Sequence, residues 1–219
     1  MNRLALFDCD GTLVDSQANI CRAMEEAFAH ARLDVPDRAA IRRIVGLSLV
    51  EAVAMLLPDA EPDFHVYLAQ GYRDRFIEMR RSGGMAVEPL YEGIAETIEA
   101  LDASGWVLGV ATGKSDRGLH LLLDHHGLRH RFVTLQTADR HPSKPHPSMI
   151  EAAMAEAGAA PETTVMIGDT SYDMAMAVAA RAHPLGVSWG YHGPDDLTAA
   201  GAVHVLDHAS GIADYLERT

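Results

Sequence analysis

From residue 90 onward the sequence alternates between amphipathic helical segments and short apolar runs, and this pattern limits the fold more than any other feature. Short apolar runs are typical of buried strands, and parallel strands need crossover helices between them. The pattern therefore predicts an α/β fold: a Rossmann-like parallel sheet core with helices on both faces. We expect a first strand at 4–7, further strands at 106–111, 132–135, 164–167, 185–188 and 203–206, and helices at 92–103, 115–126, 146–157 and 171–181.

The stretch from about residue 15 to 83 has helical periodicity throughout and contains no convincing strand. Ser16 and Asp37 stand where helix N-caps are expected, and Gly83-Gly84 resembles a linker. This stretch is predicted to be a small all-helical domain inserted after the first strand. The predicted division is a core domain at 1–14 and 84–219 and a helical domain at 15–83.

Charge and composition exclude several kinds of partner. The 31 acidic residues outnumber the 18 basic ones, and the net charge of -13 disfavours nucleic acid and anionic membrane. The 2 cysteines are too few for a disulfide framework. No signal peptide pattern is visible, and no apolar run reaches the ~18 residues that span a bilayer. A cytoplasmic protein is expected, and its oligomeric state is left open.

Polar side chains follow several of the predicted strands at the point where each strand ends. Asp8 and Asp10 follow the first strand, Thr112 and Asp169 follow two later ones, and Lys144 lies in a Pro-flanked loop after another. Open parallel sheets carry their sites beyond the carboxyl ends of their strands. Asp8 and Asp10 project to one side of the chain, and such a pair is electrostatically costly unless a cation binds or one acid stays protonated. The sequence therefore predicts one site at this edge of the sheet.

These segments resemble the motifs of the haloacid dehalogenase superfamily, phosphatase branch, and its phosphoglycolate phosphatase-like members in particular. The resemblance covers the whole chain and implies that 15–83 is that family's cap domain. Trp189-Gly190-Tyr191 is another shared trait. The motifs are Asp8-Cys9-Asp10-Gly11-Thr12-Leu13-Val14-Asp15-Ser16, Val110-Ala111-Thr112-Gly113-Lys114, Ser143-Lys144-Pro145 and Gly168-Asp169-Thr170-Ser171-Tyr172-Asp173.

The predicted function is Mg²⁺-dependent hydrolysis of a small, phosphoglycolate-like phosphate monoester through an aspartyl-phosphate. Asp8 is the candidate nucleophile, because a carboxylate can attack phosphorus in line. Asp10 would protonate the leaving alkoxide and then deprotonate the attacking water, which a raised pKa from the neighbouring carboxylate would favour. The competing structural interpretations are a capping or turn aspartate at Asp8 and an Asp-Gly turn at Asp10.

A dianionic phosphate would be repelled by these acids, so the sequence predicts bound Mg²⁺, which prefers oxygen ligands. Asp8 and Asp169 are the expected carboxylate ligands, and the family resemblance implies the backbone carbonyl of Asp10 as another. Asp173 is expected to be a ligand or a hydrogen-bond acceptor behind the ligands, unless it only stabilises a first helical turn. The remaining expectations are phosphate binding by Thr112, Gly113 and Lys144, and a substrate-contacting loop at Gly46.

Several alternatives remain at this stage. Lys114 beside Thr112 is either part of the site or an exposed lysine at a helix start. A sugar phosphomutase shares the chemistry, since the helical domain decides whether water or a sugar hydroxyl attacks. A phosphoacceptor signalling or binding domain also combines acids, threonine and lysine on a parallel sheet, but Asp10 favours turnover.

Overall fold

The computed structural model describes residues 1–218, and its centre is one sheet of six parallel strands. The strand order is β3-β2-β1-β4-β5-β6, the order of a Rossmann-like fold. This confirms the predicted parallel sheet. The strands are β1 (Asn2–Phe7), β2 (Val107–Thr112), β3 (Thr134–Thr137), β4 (Ala159–Gly168), β5 (His183–Val187) and β6 (His204–Leu206).

Strand β1 has this central place because its side chains are apolar on both faces. Leu4 and Leu6 belong to one buried cluster, while Ala5 and Phe7 belong to a second cluster on the opposite face. Helices cover both faces, as expected for a parallel sheet. The core helices that follow β1 to β6 in turn are α5 (Ile94–Ala103), α6 (Asp116–His125), α7 (Ser148–Ala157), α8 (Ser171–Ala179), α9 (Pro194–Ala199) and α10 (Gly211–Leu216), with a 3-10 turn at Arg129–Arg131.

The segment between β1 and α5 folds as four helices with a hydrophobic cluster of their own. Asp37 caps its helix as predicted, because its carboxylate accepts a hydrogen bond from the Ala40 amide at 2.7 Å. Ser16 makes no side-chain capping bond; its hydroxyl is used elsewhere, as described below. The domain division at 14/15 and 83/84 stays a prediction. The helices are α1 (Gln17–His30), α2 (Arg38–Arg43), α3 (Leu49–Leu56) and α4 (Pro62–Arg81).

The observed elements differ from the predicted ones mainly in polar or short segments. Strand β3 was predicted at 132–135 and lies two residues later in the sequence. Strand β4 was predicted at 164–167 and begins five residues earlier. The short helices α9 and α10 were not predicted. Across residues 1–218, every helix is too short or too polar to cross a bilayer.

Both thiols are expected to be protected in the folded protein. Cys9 and Cys21 are buried, and burial raises the pKa of each thiol, so little reactive thiolate forms at neutral pH. Titration with an aromatic disulfide reagent should detect no rapidly reacting thiol in native protein and two after unfolding in guanidinium. One thiol reacting as fast as free cysteine in native protein would contradict this burial.

Candidate active site

The candidate site lies at the carboxyl edge of the sheet, around the point where the strand order reverses. Asp8 directly follows β1 and Asp169 directly follows β4, the neighbouring strand. Thr112 is the last residue of β2, and Lys144 lies in the loop between β3 and α7. The topology therefore gathers four segments distant in sequence at one crevice, where ligands bind in open α/β sheets.

Three buried carboxylates form the floor of this crevice. Asp8, Asp169 and Asp173 each have a carboxylate oxygen within 4.8 Å of the others. The ammonium group of Lys144 is fully buried among them, with its Nζ 2.8 Å from Asp8 Oδ1 and 2.6 Å from Asp173 Oδ1. Burial lowers the pKa of Lys144, but the charges of Asp173 and Asp8 outweigh burial and hold that pKa above its ordinary value. The site thus has one fixed cation for three acids.

Asp8 is the least satisfied group of the site. Neither of its carboxylate oxygens accepts a well-aligned hydrogen bond from any described residue, although Lys144 forms the ion pair. Burial raises the pKa of the Asp8 carboxyl to about 7; Lys144 opposes the rise and the Asp173 charge adds to it. Oxygen donors with uncompensated negative charge are what a divalent cation such as Mg²⁺ requires. The donor set therefore fits a metal ion.

Asp169 is held from two directions. Its Oδ1 accepts a hydrogen bond from the Thr12 hydroxyl at 2.7 Å, and its Oδ2 accepts one from the Tyr191 amide at 2.9 Å. Burial and the neighbouring Asp8 and Asp173 charges nevertheless raise the pKa of Asp169 well above its usual value. Gly11, at φ +89°, allows this packing, because a Cβ there would lie 2.2 Å from Asp169 Oδ2.

Asp173 serves both the helix start and the charged cluster. Its Oδ2 accepts hydrogen bonds from the Thr170 amide at 3.1 Å and the Thr170 hydroxyl at 2.7 Å. The Asp173 amide in turn donates to the Thr170 hydroxyl oxygen at 3.3 Å, and the two amide bonds form a capping box at the N-terminus of α8. Asp173 Oδ1 holds Lys144. The two interpretations considered from sequence, a first-turn aspartate and a site residue, are therefore compatible.

The Asp10 carboxylate is not one of the three clustered acids, but it lines the same cavity as Asp8. Its Oδ1 accepts a hydrogen bond from the Ser16 hydroxyl and lies 2.8 Å from Lys114 Nζ. Lys114 is only 13% exposed, so the structure places it in the site rather than at an exposed helix start. Burial lowers the pKa of Lys114, but the Asp10 charge together with the nearby Cys9 and Glu88 and the hydrogen bond to Asp10 outweighs burial, and the net shift is upward. The neighbours of the Asp10 carboxylate are thus a lysine and a serine.

Thr112, Gly113 and Gly46 meet where the helical segment touches the sheet edge. The Thr112 hydroxyl accepts a hydrogen bond from the Lys114 amide at 3.2 Å, which leaves its own hydrogen free to donate. A Cβ on Gly113 would lie 2.8 Å from the Gly46 carbonyl and 2.6 Å from the Leu47 carbonyl. The loop at Gly46 therefore rests directly on the strand-end loop, and only a glycine permits this approach.

Sequence reasoning assigned no site role to three residues that support the acids. Thr12 and Tyr191 both donate hydrogen bonds to Asp169, and Ser16 donates one to Asp10. Trp189 adds a link, because its indole donates a hydrogen bond to the Thr12 carbonyl at 3.1 Å. The Trp189-Gly190-Tyr191 triplet was noticed in the sequence, but nothing in the pattern said which carboxylate it would meet.

Comparison with known proteins agrees with this geometry. Residues 5–187 match the model of the family described as haloacid dehalogenase-like hydrolase. A probable phosphatase IndB from Dickeya dadantii is 36% identical over 97% of this chain and 92% of its own. Tyrosine-protein kinase PtkA of Mycobacterium bovis is 30% identical over 98% of this chain and 72% of its own. A phosphoglycolate phosphatase of Photobacterium profundum is 28% identical over 96% of this chain and 94% of its own.

Among solved structures, a predicted phosphatase from Clostridium acetobutylicum superposes with a TM-score of 0.89 at 25% identity and full coverage of both chains. The family match and the relatives confirm the resemblance found in the sequence. They also confirm the prediction that the protein is an enzyme of the phosphoric monoester hydrolase type. The chain therefore belongs to the haloacid dehalogenase-like hydrolases.

Proposed function

We propose that the protein is a Mg²⁺-dependent phosphatase that hydrolyses a small phosphate monoester through an aspartyl-phosphate on Asp8. The single observation that carries this proposal is the Asp8 carboxylate, buried at the topological switch point with both oxygens free of hydrogen bonds. A purely structural buried aspartate would have its oxygens satisfied. An oxygen held free beside a lysine and two further acids is arranged to react and to bind a cation.

The metal would be held by Asp8, Asp169 and the backbone carbonyl of Asp10. Mg²⁺ bound there would neutralise phosphate charge and position the phosphoryl group for attack. Thr12 and Tyr191 would keep the Asp169 carboxylate oriented toward the ion. Asp173 would act behind the ligands, because both of its oxygens are already used by Lys144 and Thr170.

The reaction would proceed in two displacements at phosphorus. An Asp8 oxygen forms a bond to phosphorus while the ester oxygen departs with the bonding electrons and takes a proton from Asp10. Asp10 then removes a proton from a water whose oxygen attacks phosphorus, and the bond to Asp8 breaks to give inorganic phosphate. Thr112, the Gly113 amide and Lys144 would bind the phosphoryl oxygens and stabilise their charge.

The helical segment 15–83 would act as a cap that closes over the substrate. Its hydrogen bonds to the core include contacts at two places: the Ser48 amide donates to Ser143 Oγ at 2.8 Å, and the Arg43 carbonyl is bonded by the Tyr172 hydroxyl at 2.9 Å and by His192 Nε2 at 3.2 Å. The loop at Gly46 lies between these two contacts. Closure of this kind excludes water from a charged reaction centre.

Phosphate release by the purified protein from a panel of small esters, with Mg²⁺ or with chelator, tests the proposal. Phosphoglycolate belongs in the panel, because the sequence motifs resemble those of phosphoglycolate phosphatases. Acid quenching during turnover, borohydride reduction of the acyl phosphate and mass analysis of the peptide that contains Asp8 report the covalent intermediate. Metal-independent release would overturn the metal assignment. Interconversion of sugar phosphates without release of phosphate would indicate a phosphomutase. Absence of activity in both assays would favour a signalling or binding role.

Replacing Thr12 with valine is expected to weaken metal binding selectively. The change keeps the side-chain shape and removes the hydroxyl that holds Asp169. Loss of such a supporting hydrogen bond should raise the Mg²⁺ concentration for half-maximal activity about 10-fold, with activity recovered at saturating metal. Thr164→Val is the matched control, because Thr164 is also buried but bonds the Ala160 carbonyl at the start of β4. An equal metal requirement in both variants would contradict the proposed role.

A further inference from the structure

A large cavity extends from the candidate nucleophile into the helical segment. Its volume is about 590 Å³, and it runs from Asp8 and Asp10 to helices α1 and α4. Cavities of this size are typical of sites that enclose most of a whole small molecule. A phosphoryl group and a two-carbon acid would occupy only a small part of it.

The part of the cavity beyond the phosphate site is lined mainly by apolar side chains. Tyr72 and Phe76 stand one helical turn apart on α4, with ring centroids 5.8 Å apart and ring planes 34° apart. Both rings are half-buried. Ile20 and Met24 of α1 and Val45 and Leu47 of the following loop complete the apolar wall.

The cations along the cavity are poorly placed to bind a small carboxylate. Arg73, Arg80, Arg81 and Arg117 all border the cavity but are exposed at its rim. Lys114 lies deeper, yet its ammonium group is paired with Asp10 at 2.8 Å. Among the lining residues that the structure describes, no buried and unpaired cation faces the space next to the phosphate site. A carboxylate buried there would be left without a partner, which is costly.

We infer that the physiological leaving group carries a flat ring that binds between the apolar wall and the Tyr72–Phe76 pair. This inference rests on the proposed phosphatase function and adds the class of substrate. A ring buries its apolar faces against aromatic and aliphatic side chains, and aromatic pairing adds to that burial. A nucleobase carried by a sugar phosphate and a simple aryl group both present such faces, and the experiment below distinguishes them.

The first test compares primary alkyl phosphates, because these have similar leaving alkoxides and differ mainly in the group behind them. The panel is a set of nucleoside 5′-monophosphates, 2-phenylethyl phosphate, ethyl phosphate and phosphoglycolate, assayed with Mg²⁺. We expect kcat/KM to be at least about tenfold higher for one of the ring esters than for ethyl phosphate or phosphoglycolate. A preference for nucleotides over 2-phenylethyl phosphate identifies a nucleoside as the source of the ring. Equal or higher kcat/KM for phosphoglycolate overturns the inference.

The second test asks whether the preference depends on Tyr72. Tyr72→Leu keeps an apolar side chain but removes the ring, and the ratio of kcat/KM for the ring ester to that for ethyl phosphate should fall about tenfold. Tyr67→Leu on the same helix is the matched control, because Tyr67 is 57% exposed and lies outside this cavity. A ratio that changes equally in both variants, or in neither, argues against ring binding here.

Acetyl phosphate separates failure of this inference from failure of the proposed function. It is an acyl phosphate whose hydrolysis needs the phosphate site but no leaving-group pocket. Mg²⁺-dependent hydrolysis of acetyl phosphate without preference for ring esters would overturn the substrate class alone. No hydrolysis of acetyl phosphate or of any ester would overturn the phosphatase and, with it, the substrate class.

Discussion

Asp8→Asn should reduce phosphate release by at least about 10³-fold while leaving the fold intact. The amide cannot form the acyl phosphate, so the covalent route is closed. The side chain keeps its shape at a position that is 1% exposed. The measurement is steady-state release from acetyl phosphate with saturating Mg²⁺, together with a thermal unfolding curve for each protein.

The unfolding curve decides whether lost activity means lost chemistry. Burial holds the pKa of Asp8 near 7, so its ionised form is unfavourable in the folded protein without metal. A neutral asparagine removes that cost. With chelator present, the Asp8→Asn variant should therefore be no less stable than the natural protein at pH 8. Asp15→Asn is the matched control in the same segment, because Asp15 is exposed and its carboxylate accepts a hydrogen bond from the neighbouring Gln17 amide, which an asparagine oxygen can also accept. Activity of Asp8→Asn close to that of this control would exclude Asp8 as nucleophile.

The placement of the candidate site follows from sequence because parallel strands end at one edge. Each short apolar run identifies a buried strand, and the polar residue after it must emerge at that edge. Asp8, Asp169 and Thr112 are positioned in this way by β1, β4 and β2. Lys144 lies in a longer, Pro-flanked loop after the strand predicted at 132–135, so the strand pattern indicated its edge of the sheet but not its contacts with Asp8 and Asp173.

The contacts that orient these groups are long-range and were not predictable. Thr12 and Asp169 are 157 residues apart in sequence, and Ser16 and Tyr191 are 175 apart. Ser16 has the sequence position of an N-cap, yet its hydroxyl bonds Asp10, because the first turn of α1 faces the site. Periodicity identifies which face of a helix is apolar, but not which buried acid a hydroxyl will meet.

Strand β3 shows why element boundaries were missed where polar residues are buried. Thr134 and Gln136 lie inside the strand and are buried, because both donate hydrogen bonds to Glu156 of α7, at 2.6 and 2.9 Å. An apolar pattern cannot report a strand whose inward side chains are satisfied by a partner from another element. Helices α9 and α10 were missed for a different reason, since six residues are too few to show a helical period.

Lys144→Met should destabilise the protein by about 3–5 kcal/mol, the cost of breaking a buried ion pair from one side. The Lys144 side chain is fully buried, and its removal leaves Asp8, Asp169 and Asp173 together without a cation. Activity should fall as well, because the phosphoryl oxygens lose a positive charge. Lys114→Met is the matched control, since Lys114 is the other lysine of the chain and is partly exposed beside Asp10. Its effect on stability should be smaller.

The pH dependence of this destabilisation distinguishes lost charge from lost packing. The pKa of Asp8 is already raised by burial in the natural protein, and Lys144 opposes that rise. Without Lys144 the folded-state pKa rises further above the unfolded value, so stability is retained at low pH and lost as pH increases through 7. Urea unfolding of the metal-free variant at pH 5.5, 7 and 8.5 should therefore show a growing deficit. A deficit that is equal at all three values would mean that packing alone was lost.

Adding Asp173→Asn to the Lys144→Met variant should restore part of the stability. The second change removes one of the two carboxylates that Lys144 contacts, so fewer uncompensated charges remain in the cluster. The two changes should thus be non-additive, as expected for groups in direct contact. The rescue should be incomplete, because Asp173 also caps α8 through Thr170 and the substitution weakens this cap. The weakening should be small, since the asparagine side-chain oxygen can still accept the Thr170 hydrogen bonds. Strict additivity of the two changes would show that the Lys144–Asp173 pair contributes nothing to the balance of charge on which the site depends.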